Sequence, residues 1–328
     1  MELFPHDSLV TAGGTPFSCA LPVRKEKYRV HLLALGDVGS TLAMGLRLMG
    51  GDVIETLGIC DLRENVPQRW EFELNQIAPP GENRFPPVEI VDIDNIFDCD
   101  VFLFCASRFV PDTAVKNGDV RMAQYELNRP LAASYGRMAR EKGYKGMFCV
   151  VSDPVDPLCR AALLESNTNE EGALDGKGLS VCQVRGFGLG VMNARAAYYA
   201  KKETKFASFL TDGRSFGPHG EGLIIANSIS DYDDALSREL TEKTKRANLE
   251  MRGLGYKPYV APALSSGALS LLACLRGEWH CSSVFLDGVF FGIRNRLTAE
   301  GCEMEQLELP ERLAERIRET IAGLKGIS

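Results

Sequence analysis

Apolar residues in the first half of the chain fall in short, nearly unbroken runs separated by segments with helical spacing. The first such run, YRVHLLALG from Tyr28, reads as a strand. STLAMGLRLMG then has helical spacing and stops at Gly50–Gly51. VIETLGICD is a second strand, ENVPQRWEFELNQIA a helix, and VEIVDI and DVFLFCAS two more strands. Residues 119–142 read as a helix and GMFCVVSDP as a fifth strand. Nearly all-apolar strands alternating with helices predict an α/β fold, a doubly wound parallel sheet covered on both faces. Such sheets bind ligands at the carboxyl ends of their strands, here near Gly36, Asp61, Ala106 and Asp153.

After Pro154 the pattern changes. VRGFGLG leads into a helix over 191–201, and KFASFLTDGRSFG and GLIIANSIS read as antiparallel strands flanking a histidine, His219. Helices follow over 233–253 and 262–276, the second with Leu269, Leu271 and Leu272 as core. SSVFLDGVFFGIRNRL carries an Asp-Gly turn between apolar runs, a hairpin signal. A last helix covers 309–325. This half reads as α+β. The predicted division is an irregular arm over 1–27, a first domain over 28–154 and a second over 155–328.

Composition changes this picture little. With 45% hydrophobic and 25% charged residues, the 328-residue chain is ordinary for a globular protein of two domains. A net charge of −7 and the lack of a Lys/Arg run argue against nucleic acid as partner. No apolar run is long enough to cross a bilayer, and MELFPHDSLVTAGG has no signal-peptide pattern. Ten cysteines show no CxxC pair and no zinc spacing, so no metal is expected. Cys60, Cys105 and Cys149 lie in or at the end of apolar runs, which suits reduced thiols and a cytoplasmic protein.

LLALGDVGSTLAMG follows a strand and opens a helix. A glycine-rich turn there lets backbone N–H groups and a helix N-terminus meet a diphosphate. Gly36, Asp37, Val38 and Gly39 form the candidate cradle. Gly36 and Gly39 match the second and third glycines of GxGxxG, while Ala34 stands at the first. Asp61 closes the second strand, 25 residues after Gly36, where a carboxylate accepts from ribose hydroxyls and repels a 2′-phosphate. That favours NAD over NADP. Asp37 is discordant, because its carboxylate opposes a diphosphate. The plain alternative is a tight strand–helix turn followed by a strand-end acid.

The order of motifs resembles the lactate/malate dehydrogenase family from about residue 28 to 325. LGDVGSTLA is similar to the family's dinucleotide loop, and GDVRMAQYELN to the segment after its mobile loop. VVSDPVD is similar to its Asn-Pro-Val signature, VMNARAAYYA to its Leu-Asp-x-x-Arg helix, and GPHGEG to its histidine turn. The resemblance implies a Rossmann-type first domain, NAD as cofactor and a 2-hydroxy or 2-oxo acid as substrate. It implies that His219 exchanges a proton with the substrate oxygen and that Arg195 grips the substrate carboxylate. Arg121 would polarise the carbonyl, and Arg108 would touch a second carboxylate. Asn128 would bond near the ribose, and Val115 or Lys116 would face the substrate side chain. Each residue also has a bland reading: a turn histidine, a helix-surface arginine, a helix asparagine.

Two positions depart from the family. Met192 stands where an aspartate would hold the histidine ring, and Asp153 where an asparagine is usual. Asp153 or Glu221 is the candidate to supply the missing charge to His219. The readings are then a dehydrogenase with a rebuilt acid/base pair, a degenerate relative binding NAD or another nucleotide as a sensor or partner subunit, or a fold reused for something else. In VPQRWEFELNQI, Trp70, Phe72, Leu74 and Ile77 lie among charges. The corresponding family helix packs across a two-fold axis, which implies a homodimer or homotetramer. The alternative is packing on the same subunit.

Overall fold

The computed structural model describes residues 11–12, 15–82, 84–108 and 120–327. Its centre is a nine-stranded sheet. Six parallel strands form one part: β1 (Tyr28–Leu33), β2 (Ile54–Cys60), β3 (Val88–Ile90), β4 (Val101–Phe104), β5 (Met147–Val150) and β6 (Val184–Gly186). Their spatial order is β6-β5-β4-β1-β2-β3. The order reverses between β1 and β4, the kind of switch point at whose strand ends open α/β sheets bind ligands. The sheet has the expected α/β architecture.

One row of the register sets the geometry of everything below. Leu33 pairs with Cys60 and Phe104, Phe104 with Val150, and Val150 with Gly186. These strands therefore end level, and the segments just beyond them form one rim. The strands are apolar on both faces because helices cover both. On one face α3 (Val120–Glu141) and α4 (Val155–Ser166) bury Phe102, Phe104 and Phe148 with Tyr135 and Leu158. On the other, α1 (Asp37–Met49) and α8 (Ser270–Arg276) bury Leu57 and Leu103 with Leu42, Leu46 and Leu272.

β6 lies beyond residue 154 and continues the same sheet. The later half adds α5 (Leu189–Lys202), α6 (Phe209–Asp212), the antiparallel pair β7 (Arg214–Phe216) and β8 (Ile224–Ala226), and α7 (Asp234–Gly253). The hairpin β9 (His280–Leu286) and β10 (Val289–Leu297) turns at Asp287–Gly288, both at positive φ as a two-residue turn requires. With β11 (Cys302–Met304) it extends the sheet past β6. Helix α9 (Glu311–Lys325) follows.

Several expectations fail locally. Only Val88–Ile90 of VEIVDI is strand, and Ile93–Asn95 is a 3-10 turn. The run before Arg214 is helical at Thr204–Phe206 and Phe209–Asp212. Residues Pro262–Leu269 form a π-helix ahead of α8, and Leu269 is 51% exposed, not core. The arm docks on its own chain: Phe17 is buried edge-on against Phe285, and the Val181 N–H donates to the Ser18 carbonyl.

Candidate active site

The β1–α1 turn is built by close approach. Ala34 N–H donates to the Cys60 carbonyl, and Leu35 N–H donates to Asp61 Oδ2 at 2.7 Å. Gly39 must be glycine, since a Cβ there would lie 1.9 Å from the Ala34 carbonyl oxygen. A Cβ on Gly36 would meet nothing within 4 Å, so the turn opens outward there. Gly36 is the N-cap of α1 without a side-chain cap, leaving first-turn amides for a ligand. Asp37 is not an uncompensated charge, because Lys257 Nζ lies 3.2 Å from its Oδ2. Val38 follows in the same turn, half-buried.

Ala34 has φ of 75°, the left-handed region where a Cβ is strained. The family's first glycine falls at this position. Ala34→Gly relieves about 1–2 kcal/mol of strain and costs about 0.5–1 kcal/mol of chain entropy. A net gain of up to about 1.5 kcal/mol is expected, and equilibrium denaturation checks it.

Asp61 caps β2 with its side chain 5% exposed. Arg63 binds it through Nε and Nη2 at 2.9 and 2.7 Å. Burial raises the Asp61 pKa, but the Arg63 guanidinium and the Leu35 and Arg63 amides outweigh it, so the carboxyl lies below its usual range. Two of its four donors come from a side chain that is 61% exposed, so displacing Arg63 frees acceptor sites without touching the fold.

Asn128, expected on the substrate side, is fully buried in α3. Its Nδ2 donates to the Asp153 carbonyl at 2.9 Å, and its Oδ1 accepts from the Arg108 N–H at 2.8 Å. It braces the loops after β4 and β5. Ala106 is tied to the second of these loops by Ser152 Oγ, which donates to its carbonyl at 2.7 Å. The side chains of Arg108 and Asp153 are exposed at the rim. The Arg121 side chain, Val115 and Lys116 lie outside the described residues.

His219 sits in the β7–β8 connection, half-buried. A Cβ on Gly188, just past β6, would lie 3.0 Å from the His219 Cβ, so the histidine is at the carboxyl rim. The other described histidines are structural. His31 Nδ1 meets the Ile96 carbonyl at 3.0 Å, and burial lowers its pKa. His280 is bonded to Glu278 and Ser282, and burial pushes its pKa down to about 4. Of the two candidates for charge near His219, Glu221 has a side chain 84% exposed and paired with Lys245 at 3.0 Å.

The buried acid at this rim is Asp156, in the first turn of α4, which the sequence reading missed. Its carboxylate lies by the Ser283 hydroxyl and the His219 backbone N–H, while Oδ1 has no partner among the described residues. Burial pushes its pKa up to about 6 from 3.8. An acid with a raised folded pKa weakens the fold as it ionises: the stability present below about 3.8 is lost as pH rises through about 6. Asp156→Asn should therefore stabilise the fold above pH 7 by on the order of 2–3 kcal/mol, raising the melting temperature there, and change little near pH 4. Thermal melts at the two pH values check this.

Arg195 is half-buried on α5, one turn after Met192, and its Nη1 donates to the Met192 sulfur at 3.5 Å. Met192 is 1% exposed among Val191, Phe206, Leu223 and Leu240. An apolar pocket thus fills the place of the expected carboxylate. Helix α5 is fixed to the histidine segment by Ser215 Oγ, which donates to Asn193 Oδ1 at 3.1 Å. Its first turn is fixed by Ser266 of the π-helix, which accepts from Val191 N–H and donates to the Gly188 carbonyl, both at 2.8 Å. His219 and α5 are so anchored to the same strand end. Among the described residues no His, Cys, Asp and Glu group could hold a metal ion.

No family model matches the chain. It is 27% identical over 208 residues to an L-lactate dehydrogenase of Treponema denticola, which covers 63% of this chain and 59% of that protein, less than two thirds of its length. It is 24% identical over 320 residues to the L-lactate dehydrogenase of Halalkalibacterium halodurans, covering 91% and 96%. Among solved structures it resembles a lactate dehydrogenase from a deep-sea metagenome library, with a TM-score of 0.74, 18% identity and coverage of 92% and 98%. It also resembles Plasmodium falciparum malate dehydrogenase, with a TM-score of 0.71, 16% identity and coverage of 91% and 96%.

Proposed function

Because the chain is a divergent relative of the lactate/malate dehydrogenases in sequence and fold, we propose that it is an NAD-dependent oxidoreductase acting on a 2-hydroxy or 2-oxo acid. The observation that carries this reading is the level rim: the open glycine turn after β1, Asp61 after β2 and His219 against Gly188 after β6 all stand along it. The residues fit a dinucleotide, since Gly36 is open to solvent and α1 starts without a side-chain cap. Bound there, NAD supplies the hydride acceptor. Gly36, Asp37, Val38 and Gly39 hold the diphosphate through backbone N–H groups. Asp61 receives the adenosine ribose once Arg63 turns outward.

In this reading Arg195 binds the substrate carboxylate with its planar fork. Arg121 adds positive charge where an alkoxide develops, and Arg108 is available to a second carboxylate. His219 takes the proton from the substrate hydroxyl, or returns it to the carbonyl oxygen. Asp153 stands exposed at the same rim as the remaining acid of this machinery. Exposed Phe72 and half-buried Trp70 on α2 (Val66–Asn75) fit a homodimer or homotetramer. A division at 154/155 into cofactor and substrate units, and a cytoplasmic location, complete the reading.

A second reading follows from Met192. Met192 stands where a carboxylate would fix the His219 ring, and by analogy with catalytic triads the loss of such a carboxylate costs up to about 10⁴ in rate while the site stays folded. The chain would then bind NAD as a sensor or partner subunit. Titration with NADH, followed by its fluorescence, and a panel of 2-oxo acids separate the two. A dehydrogenase consumes the bound NADH with at least one acid. A sensor binds NADH and consumes none.

A further inference from the structure

A second place in the molecule holds a charge with no answer. Arg185, on β6, is 1% exposed. A guanidinium stays protonated and has five N–H donors, so a protein interior holds it only against an anion or a full set of acceptors. Arg185 has neither among the described residues. Its Nη1 donates to Asn295 Oδ1 at 3.0 Å, and it contacts the Cys302 sulfur, a weak acceptor. Its Nε is buried with no partner.

The fold leaves space beside it. Strand β6 has three residues and meets β9 at one position, Ser283 against Gly186. Between the arm, β6 and β11 lies a cavity of about 280 Å³, with Arg185 in its wall. Most of the lining is apolar or thiol, including Cys19, Cys182 and Cys302. The one acid in that lining, Glu300, is exposed, so water and salt screen its charge while that of Arg185 is unscreened.

We infer that this cavity binds a small oxyanion, a phosphate or carboxylate group, with Arg185 as its charge partner. The space suits a group of a few heavy atoms and is at or below the low end of drug-sized pockets. Its residues share none with the rim described above, so the inference stands apart from the dehydrogenase reading.

The three thiols give a readout in the unmodified protein. Alkylation of Cys19, Cys182 and Cys302 by iodoacetamide, followed by mass spectrometry, is measured in inorganic phosphate, in malonate and in chloride of matched ionic strength. Phosphate or malonate at ten times its Kd is expected to slow alkylation of the lining cysteines roughly tenfold against chloride. Whichever anion protects identifies the preferred group. Arg195→Ala should keep the protection, and Arg185→Met should abolish it. Alkylation equally fast in all three salts overturns the site. So does protection that survives in Arg185→Met or vanishes in Arg195→Ala, because the anion then acts elsewhere. If Arg185→Met does not fold, the wild-type comparison and Arg195→Ala decide.

Discussion

His219→Asn is expected to lower kcat for reduction of the 2-oxo acid by about 10²–10⁴-fold, the range for losing a positioned general acid. NADH affinity should change little, because the histidine stands at β6 and the glycine turn at β1, on opposite sides of β4 and β5. Asparagine keeps a polar group of similar reach but exchanges no proton near neutrality. The backbone N–H that meets Asp156 is kept, so the turn should hold its shape. No other described histidine can substitute: His31 and His280 are buried in β1 and β9, hydrogen-bonded to backbone carbonyls. Steady-state rates followed by nicotinamide absorbance read this directly. The wild-type pH profile should carry an imidazole limb that the variant lacks, and a loss under tenfold would remove His219 from the chemistry.

Arg195→Met is expected to lower kcat/KM by roughly 30- to 5000-fold, the equivalent of about 2–5 kcal/mol for truncating one partner of a buried charge pair. Most of the loss should fall on KM, since the carboxylate is bound in ground state and transition state alike. Arg195→Lys should recover only part, because an ammonium cannot make two parallel bonds to a carboxylate. Methionine is unbranched and fits a half-buried position beside Met192, so the fold should tolerate it. Equal KM in the wild type and Arg195→Met would place the substrate carboxylate elsewhere.

The strands long enough to show a pattern were legible in the sequence. β1, β2, β4 and β5 are apolar runs bounded by glycine, aspartate or proline, and each lies where the pattern puts it. β6 was not, because three residues, Val184–Gly186, carry no period and the buried Arg185 reads as surface. Helix α4 was not read from the sequence, and Pro154 and Pro157 stand at its start. The π-helix at Pro262–Leu269 turns Leu269 outward, an effect of register that apolar spacing does not reveal.

The candidate site divides in the same way. The glycine turn was legible because its requirement is local: Gly39 touches a carbonyl five residues earlier. Whether a polar side chain faces a ligand or a neighbouring loop is decided by tertiary packing. Asn128, read as bonding near the ribose, braces two loops, and Glu221, one of two candidates for charge at His219, pairs with Lys245, neither of which the sequence shows. Asp153 was singled out because it stands where the family has an asparagine, whereas Asp156 is set apart by its burial, which the sequence does not show. Three residues separate them, which places Asp156 inside the helix that follows the strand.

The most direct measurement is a single turnover with NADH carrying deuterium at its transferable position, mixed with protein and a panel of 2-oxo acids. If residue 219 and residue 195 serve one acid beside a dinucleotide, at least one acid consumes the NADH, and the deuterium appears on C2 of the matching 2-hydroxy acid. Loss of that label in both His219→Asn and Arg195→Met is predicted. NADH that fails to bind, or binds and passes deuterium to none of the acids, would contradict the account.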